Sequence, residues 1–431
     1  MLPVLIWAAL FLLVGLVVYR CLAACGVELP LPGKGAAHFQ SGKERALSCR
    51  GAAAWKVFLA ALGFRLGLLA VGLFAAMVLT SGESTFRDCF QRFCQRWDGY
   101  HYVQLVEKGY TGYQENGQHL FLVFFPGFVW GTRLLRLVIP DTLLAGVALS
   151  TLCAAGGSCY VYKLAAQCYN PRVAKDTLLF LSLFPFSFFS GTMMTEGLFL
   201  LTTAGACYYA LQGRWFLFGL LGVGAALTRM TGVLVVLVGA MELLEREKPL
   251  KAPVGNSLRR CWKGILARLP FVLMPLLGTG CYLLLNQVVD GNPFAFITHQ
   301  EHWYQGFQWM SFVVEYMFRN FVGNMGNSFG WSTWFPALAL FGAFLALLFW
   351  AACKKCHRAS LLVYGGAYFV ATYSLSWLLS AGRYLSCCFA LFLFLAKFTE
   401  KRPVFRDGIL AGEALLLGVT LCGYLNGAQI M

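Results

Sequence analysis

The sequence predicts an all-α polytopic membrane protein, a bundle of about 11–13 transmembrane helices at roughly 20 residues per crossing. Three observations carry that expectation. The 431 residues are 59% hydrophobic and only 12% charged, where a soluble domain carries about 25% charged residues. Apolar runs of helix-spanning length recur along the chain, and mean hydropathy is +0.65. Lys and Arg collect in the short segments between those runs, and mostly in alternate ones.

Taken in order, residues 2–18 form an apolar run with no basic residue before it and Arg20 after it. A secretory signal has the reverse polarity, so this reads as an uncleaved helix with its N-terminus outside. A basic loop follows at 20–56, where Pro30, Pro32, Gly33 and Gly35 oppose regular structure. The run at 57–80 returns outward and carries Arg65 within it, and a polar outer segment occupies 81–119. The stretch 120–140 is irregular, holding Pro126, Gly127, Gly131, Arg133 and Arg136. As a full span it would invert every later loop; as a re-entrant or surface-lying segment it preserves the charge bias.

The later runs then alternate. Those at 143–162, 198–211, 336–353 and 385–398 go inward, and those at 178–194, 269–289, 361–379 and 409–425 come outward. A short out-and-in pair, 216–227 and 233–244, flanks Arg229. This topology puts 24 of the 34 Lys and Arg in cytoplasmic segments: six in 20–56, three in 163–175, Arg214, seven in 246–268, three in 354–358 and four in 397–406. Nine lie outside. Several runs are shorter than a simple span requires, which is tolerated where a helix lines a cavity rather than lipid. The whole of 1–431 reads as one transmembrane domain, with outer loops at 81–140 and 290–332.

Several functions fall away on the same reading. The net charge of +15 is the positive-inside pattern, not a nucleic-acid patch. Most of the 16 Cys lie in apolar runs, where Cys behaves as a small hydrophobe. Cys89 and Cys94 share the first outer loop, and either a disulfide or two free thiols suits them. Cys353-Lys354-Lys355-Cys356-His357 matches a haem-attachment pattern, but at a basic, cytoplasmic helix end where snorkelling lysines explain it better. No phosphate-binding glycine loop and no convincing zinc spacing is present.

What remains is a set of polar groups that a bilayer should exclude. Asp98, His101, Glu107, Thr195-Glu196, Thr228-Arg229 and Arg383-Tyr384 all fall at outer helix ends. The 290–310 loop adds Asp290, His299, Gln300, Glu301, His302, Trp303 and Tyr304. Any one of them serves as well as a helix-end anchor; their convergence on one face is what favours a site. A carboxylate base, arginines suited to phosphate and aromatics for sugar faces fit glycosyl transfer from a lipid-phosphate sugar. A transporter or flippase for a lipid-linked sugar is the alternative; transporters often show two related halves, and no internal repeat is visible.

Trp97-Asp98-Gly99-x-His101-Tyr102, then Glu107-x-Gly109-Tyr110, then Phe124-Phe125-Pro126-Gly127-Phe128 resemble the GPI mannosyltransferase 2-like (PIG-V) membrane mannosyltransferase family, which has bacterial relatives. Further matches are Thr195-Glu196-Gly197-Leu198-Phe199, Gly213-Arg214-Trp215, Ala226-Leu227-Thr228-Arg229 and Arg383-Tyr384. The compact chain, with few long outer insertions, looks more like a bacterial relative than a eukaryotic one.

The resemblance implies a GT-C glycosyltransferase fold and a polyprenyl-phosphate (dolichyl-phosphate-type) hexose donor, typically mannose. Asp98 inherits the catalytic role. Trp97, His101, Glu107, Glu196, Arg229, Arg383, Tyr384, His302 and Trp303 are expected around donor and substrate. Asp98 is expected to act as base, or alternatively to hold a divalent cation, Mg2+ or Mn2+. The acceptor is a glycan, glycolipid or protein hydroxyl. The location expected is a bacterial plasma membrane with the site facing outside, or alternatively an endoplasmic reticulum membrane with a lumenal site.

Overall fold

A computed structural model describes residues 2–27, 54–80, 84–251 and 256–430. The basic loop expected at 20–56 therefore falls largely outside the described residues. Among those that are described the chain is almost entirely helical and contains no strand, only two isolated bridges, Glu115 with Gln118 and Phe307 with Leu375.

Two long apolar helices come first, α1 (Leu2–Ala24) and α2 (Ala54–Leu79). Each buries one thin stripe. In α1 it is Ile6, Leu13 and Arg20, seven residues apart; in α2 it is Arg65, Gly72 and Ala76. The rest of each surface is apolar and exposed, as lipid-facing helices are. Two short helices follow, α3 (Phe86–Cys94) and α4 (Asp98–Gly112). Thr85 and Asp88 close a reciprocal capping box at the start of α3.

Next, α5 (Pro126–Leu135) begins on a proline at its first turn. At ten residues it is about 15 Å long, half the hydrocarbon thickness. Then come α6 (Thr142–Cys168), α7 (Pro171–Leu183), α8 (Glu196–Gln212), α9 (Trp215–Thr228) and α10 (Val235–Glu247). The chain continues through α11 (Asn256–Leu273), α12 (Pro275–Asp290), α13 (Ala295–Gln300) and α14 (Met310–Gly323). It ends with α15 (Phe335–Cys353), α16 (Ala359–Thr372), α17 (Ala381–Ser386), α18 (Phe389–Thr399) and α19 (Pro403–Leu425).

Among the described residues six helical stretches are long and apolar enough to cross a membrane: Leu2–Ala24, Ala54–Leu79, Thr142–Cys168, Leu258–Asp290, Gly330–Cys353 and Pro403–Leu425. The remaining apolar helices are shorter, including Trp215–Thr228, Ala359–Thr372 and Phe389–Thr399. Shortness goes with burial. Every residue of Phe389–Phe394 is fully inside, and α8 is buried along most of its length.

At the centre α6 packs on α8 through small residues. A Cβ on Gly197 would sit 2.0 Å from the carbonyl oxygen of Ser150, and one on Gly157 would sit 2.9 Å from the backbone of Leu201. Close approach of this kind is how helices associate where lipid supplies no hydrophobic drive. Gly197→Ala is therefore expected to destabilise the protein by about 1–3 kcal/mol or more, since a carbonyl gives way less readily than a flexible side chain. The check is a drop of several degrees in the detergent-solubilised melting temperature; an unchanged melting point would mean that α6 and α8 slide apart without cost.

Between α7 and α8 the chain runs irregularly from 184 to 195, yet every residue there is buried. Non-helical backbone at this depth survives only when protein satisfies its polar groups. Arg65, buried in α2, does so by donating to the carbonyl of Ser187 at 2.6 Å, and the amide of Met193 donates to the carbonyl of Cys94 at 3.0 Å. The arginine within the second run is thus a backbone clamp.

The bundle has two chemically distinct ends. Arg358 precedes α16 and forms a two-point pair with Glu242 at 2.9 and 2.7 Å; Arg20 grips the carbonyls of Ala352, Lys354 and His357 beside it. Buried His357 hydrogen-bonds Tyr169 at 2.6 Å, so His357 and the carbonyl of Lys354 in the Cys-x-x-Cys-His stretch belong to this tie. The other end of α16, at Thr372, borders a cavity. Fourteen residues separate the two, about 21 Å.

Candidate active site

That cavity, about 210 Å³, is lined by Asp98, Tyr102, Arg229, Trp303, Arg383 and Tyr384 among others. Helix ends deliver most of them. Asp98 is the first residue of α4, where a carboxylate also suits the positive end of the helix dipole. Glu196 opens α8, Arg229 follows α9, and Arg383 lies in α17. Trp97 turns the chain into α4 at φ 55°, a left-handed value rare outside glycine. Pro126 starts α5, and Gly127 lets it approach the end of α9, since a Cβ there would meet the carbonyl oxygen of Leu227 at 2.8 Å. Phe124 and Phe125 just before it face the cavity.

Four charges form one network. Arg383 donates from Nη1 to Asp98 Oδ2 at 2.6 Å and from Nε to Glu196 Oε1 at 2.5 Å. Arg229 donates from Nη1 to the same Glu196 oxygen at 3.1 Å. Glu196 is 1% exposed and Arg383 4%, whereas Asp98 keeps 33% of its side chain open. Buried charges survive only when paired in this way. The two arginines are further held by aromatic faces: Arg229 lies 4.8 Å from the Tyr384 ring and Arg383 5.3 Å from the Phe189 ring. Two positive and two negative groups balance, and Glu196 Oε2 is buried with no hydrogen-bond partner among the described residues.

The cavity continues into a second space of about 670 Å³ through shared Met230, Gln300, Ala371 and Leu375. Its walls are Leu10, Leu13, Val14, Val17 and Val18 of α1, the Val363–Val370 face of α16, and Phe296, Ile297 and Phe307. Among the described residues no charged side chain lines it. A charged chamber thus opens onto an apolar groove flanked by a lipid-facing helix.

Asp98, Glu196, Arg229, Trp303, Arg383 and Tyr384 come together as the sequence suggested. Four others stand apart. His101 hydrogen-bonds Tyr113 at 2.9 Å and stacks on Phe121 at 4.9 Å. Burial lowers its pKa, against the pull of Asp98, so it packs as a neutral ring. Glu107 is exposed on α4, and His302 faces a different crevice. Trp97 is half-buried, its indole nitrogen without a hydrogen-bond partner among the described residues. Cys89 and Cys94 are buried free thiols.

Tyr368, Thr372, Thr231 and Gln305 also line the cavity, unnoticed in sequence. Tyr368 and Thr372 are four apart on apolar α16, a spacing that puts two polar groups on one face.

Among the described residues no three His, Cys, Asp or Glu side chains converge on a metal-sized site.

The family described as dolichyl-phosphate-mannose-protein mannosyltransferase matches residues 125–255. That stretch includes Glu196 and Arg229 but neither Asp98 nor Arg383. No curated protein matches the chain. Among solved structures, ArnT from Cupriavidus metallidurans bound to undecaprenyl phosphate aligns with TM-score 0.52 at 16% identity, covering 86% of this chain and 65% of that one. The fold is of the GT-C type. The chain spans 65% of that ArnT's length. The archaeal oligosaccharyltransferase AglB from Archaeoglobus fulgidus aligns less well, at TM-score 0.41 and 12% identity over 84% of this chain and 55% of that one.

Proposed function

We propose that this protein is an integral-membrane glycosyltransferase that moves a hexose, mannose by preference, from a polyprenyl-phosphate donor to an extracytoplasmic hydroxyl. The observation that carries the reading is the paired-charge cavity opening onto an uncharged groove. A lipid-phosphate sugar has the same two-part chemistry. The prenyl tail suits the groove between α1 and α16, and the phosphate suits the guanidinium N–H groups that Arg229 and Arg383 do not spend on Glu196 and Asp98. ArnT, which shares the fold, is known bound to undecaprenyl phosphate. The topology read from the charge bias puts the cavity on the outer side of the membrane, consistent with a bacterial plasma-membrane enzyme of the PIG-V-like kind.

In this reading the acceptor hydroxyl loses its proton to Asp98 as its oxygen bonds to the anomeric carbon. The bond from that carbon to the phosphate oxygen breaks, the electron pair leaves with the phosphate, and configuration inverts. Arg229 and Arg383 stabilise the charge growing on the leaving group. Tyr102, Trp303 and Tyr384 present ring faces to the sugar.

The deciding experiment gives purified protein in detergent radiolabelled polyprenyl-phosphate mannose and a panel of hydroxyl acceptors. Label moving to an acceptor without any membrane gradient supports an enzyme over a flippase; a donor that stays intact with every acceptor refutes the reading. The groove has its own test. Gly366 lines it with open space where a Cβ would go, so Gly366→Leu should raise KM for a long-chain donor several-fold while sparing a donor with a short prenyl tail. Equal effects on both would move the tail elsewhere.

A further inference from the structure

A second polar crevice lies beside the charged cavity and has no part in the chemistry above. It measures about 380 Å³ and is lined by Gln118, Leu120, Asp290, Thr298, His299 and His302, with Gly117 at its edge. Its size falls within the range of small-ligand sites.

One wall separates the two spaces, built from two segments used on both sides. In the 295–305 segment, Gln300 and Trp303 face the charged cavity while Thr298, His299 and His302 face the crevice. In the 117–125 segment, Val123, Phe124 and Phe125 face the cavity while Gln118 and Leu120 face the crevice. Aromatic contacts hold this wall together. Trp303 packs edge-on against Phe121 and Phe124 with centroids 6.0 and 6.2 Å away, and the His302 ring lies 4.9 Å from Trp303. His299 Nε2 lies 3.4 Å from Asp290 Oδ2 and is buried without a hydrogen bond among the described residues.

The two spaces differ in charge chemistry. The cavity carries two arginines; among the described residues the crevice has neither Lys nor Arg in its lining but offers an amide, a hydroxyl, two imidazoles and a carboxylate. Such a set offers phosphate no fixed positive charge and suits a neutral ligand rich in hydroxyl groups, which both donate and accept hydrogen bonds. We infer that the crevice is a subsite for a neutral carbohydrate, the non-reacting sugars of the acceptor, with His302 and Thr298 as specificity-determining residues. The inference rests on the glycosyltransferase reading for the word acceptor, and on the lining alone for carbohydrate. It gives His302 an acceptor role, across the wall from the donor.

Two measurements test it. Saturation-transfer NMR on the detergent-solubilised protein, with mannotriose, maltotriose and chitotriose as probes, should show contact with at least one, and that contact should be lost in His302→Ala and weakened in Thr298→Val. In transfer assays, the same variants should raise acceptor KM by about tenfold with kcat and donor affinity unchanged. Loss of probe binding in the variants with no transfer by wild type would leave the subsite standing while the enzyme reading falls. Transfer with wild-type acceptor KM in both variants, or no contact with any of the three oligosaccharides, overturns the subsite.

Discussion

Asp98→Asn is expected to lower sugar transfer by about 10²–10⁴-fold, the contribution of a positioned general base. The protein should still accumulate in membranes and melt near the wild-type temperature. Asparagine is isosteric, and its amide oxygen can still accept from Arg383. Arg383 also keeps its bond to Glu196, so no buried charge is abandoned. Asp98 is the member of the network with the most open side chain, as an atom that must meet an incoming hydroxyl requires. The measurement is single-turnover transfer at saturating donor, with donor affinity read separately. Loss of turnover at unchanged affinity is the signature of a group acting in the transition state. Turnover near the wild-type rate would remove Asp98 from the chemistry.

Why Asp98 could be found in sequence, while some of its neighbours misled, follows from helix geometry. Charges near membrane depth are costly enough to announce themselves, and Asp98, Glu196, Arg229 and Arg383 all did. The polar loop around Asp98 gave no such filter, because there a solvated face and a site face look alike. Once 98–112 is known to be a helix, the sorting is simple at 100° per residue. Tyr102, four residues on, returns to the face of Asp98 and lines the cavity. Glu107, nine residues on, lies half a turn away and is exposed. His101 sits a face to the side, against Tyr113 and Phe121. The same geometry hid Tyr368 and Thr372 inside a run that hydropathy reads only as a span. The irregular 184–195 stretch was also opaque, since the partners that hold it from outside, Arg65 and the carbonyl of Cys94 among them, come from 90 or more residues away in the chain.

Arg383→Ala is expected to cost both activity and stability, and the two losses can be separated. Arg383 joins Asp98 to Glu196, so removing it strips a 1% exposed carboxylate of one of its two arginines. Breaking a buried pair in this way costs about 3–5 kcal/mol. Glu196 keeps Arg229, and Asp98 is the carboxylate left without an arginine, so Arg383→Ala with Asp98→Asn should recover part of the melting temperature lost by the single variant. Activity should not recover. In the proposed reaction Arg383 serves two partners in turn. Before transfer its charge is shared with Asp98; as Asp98 takes the proton, that hold weakens and the guanidinium is freed for the departing phosphate. Loss of Arg383 should therefore weaken donor binding and slow the chemical step together, and lysine should rescue poorly because a point charge lacks the planar fork that reaches both carboxylates. A double variant that regains stability and donor affinity together would assign Arg383 a purely structural role, leaving the phosphate to Arg229.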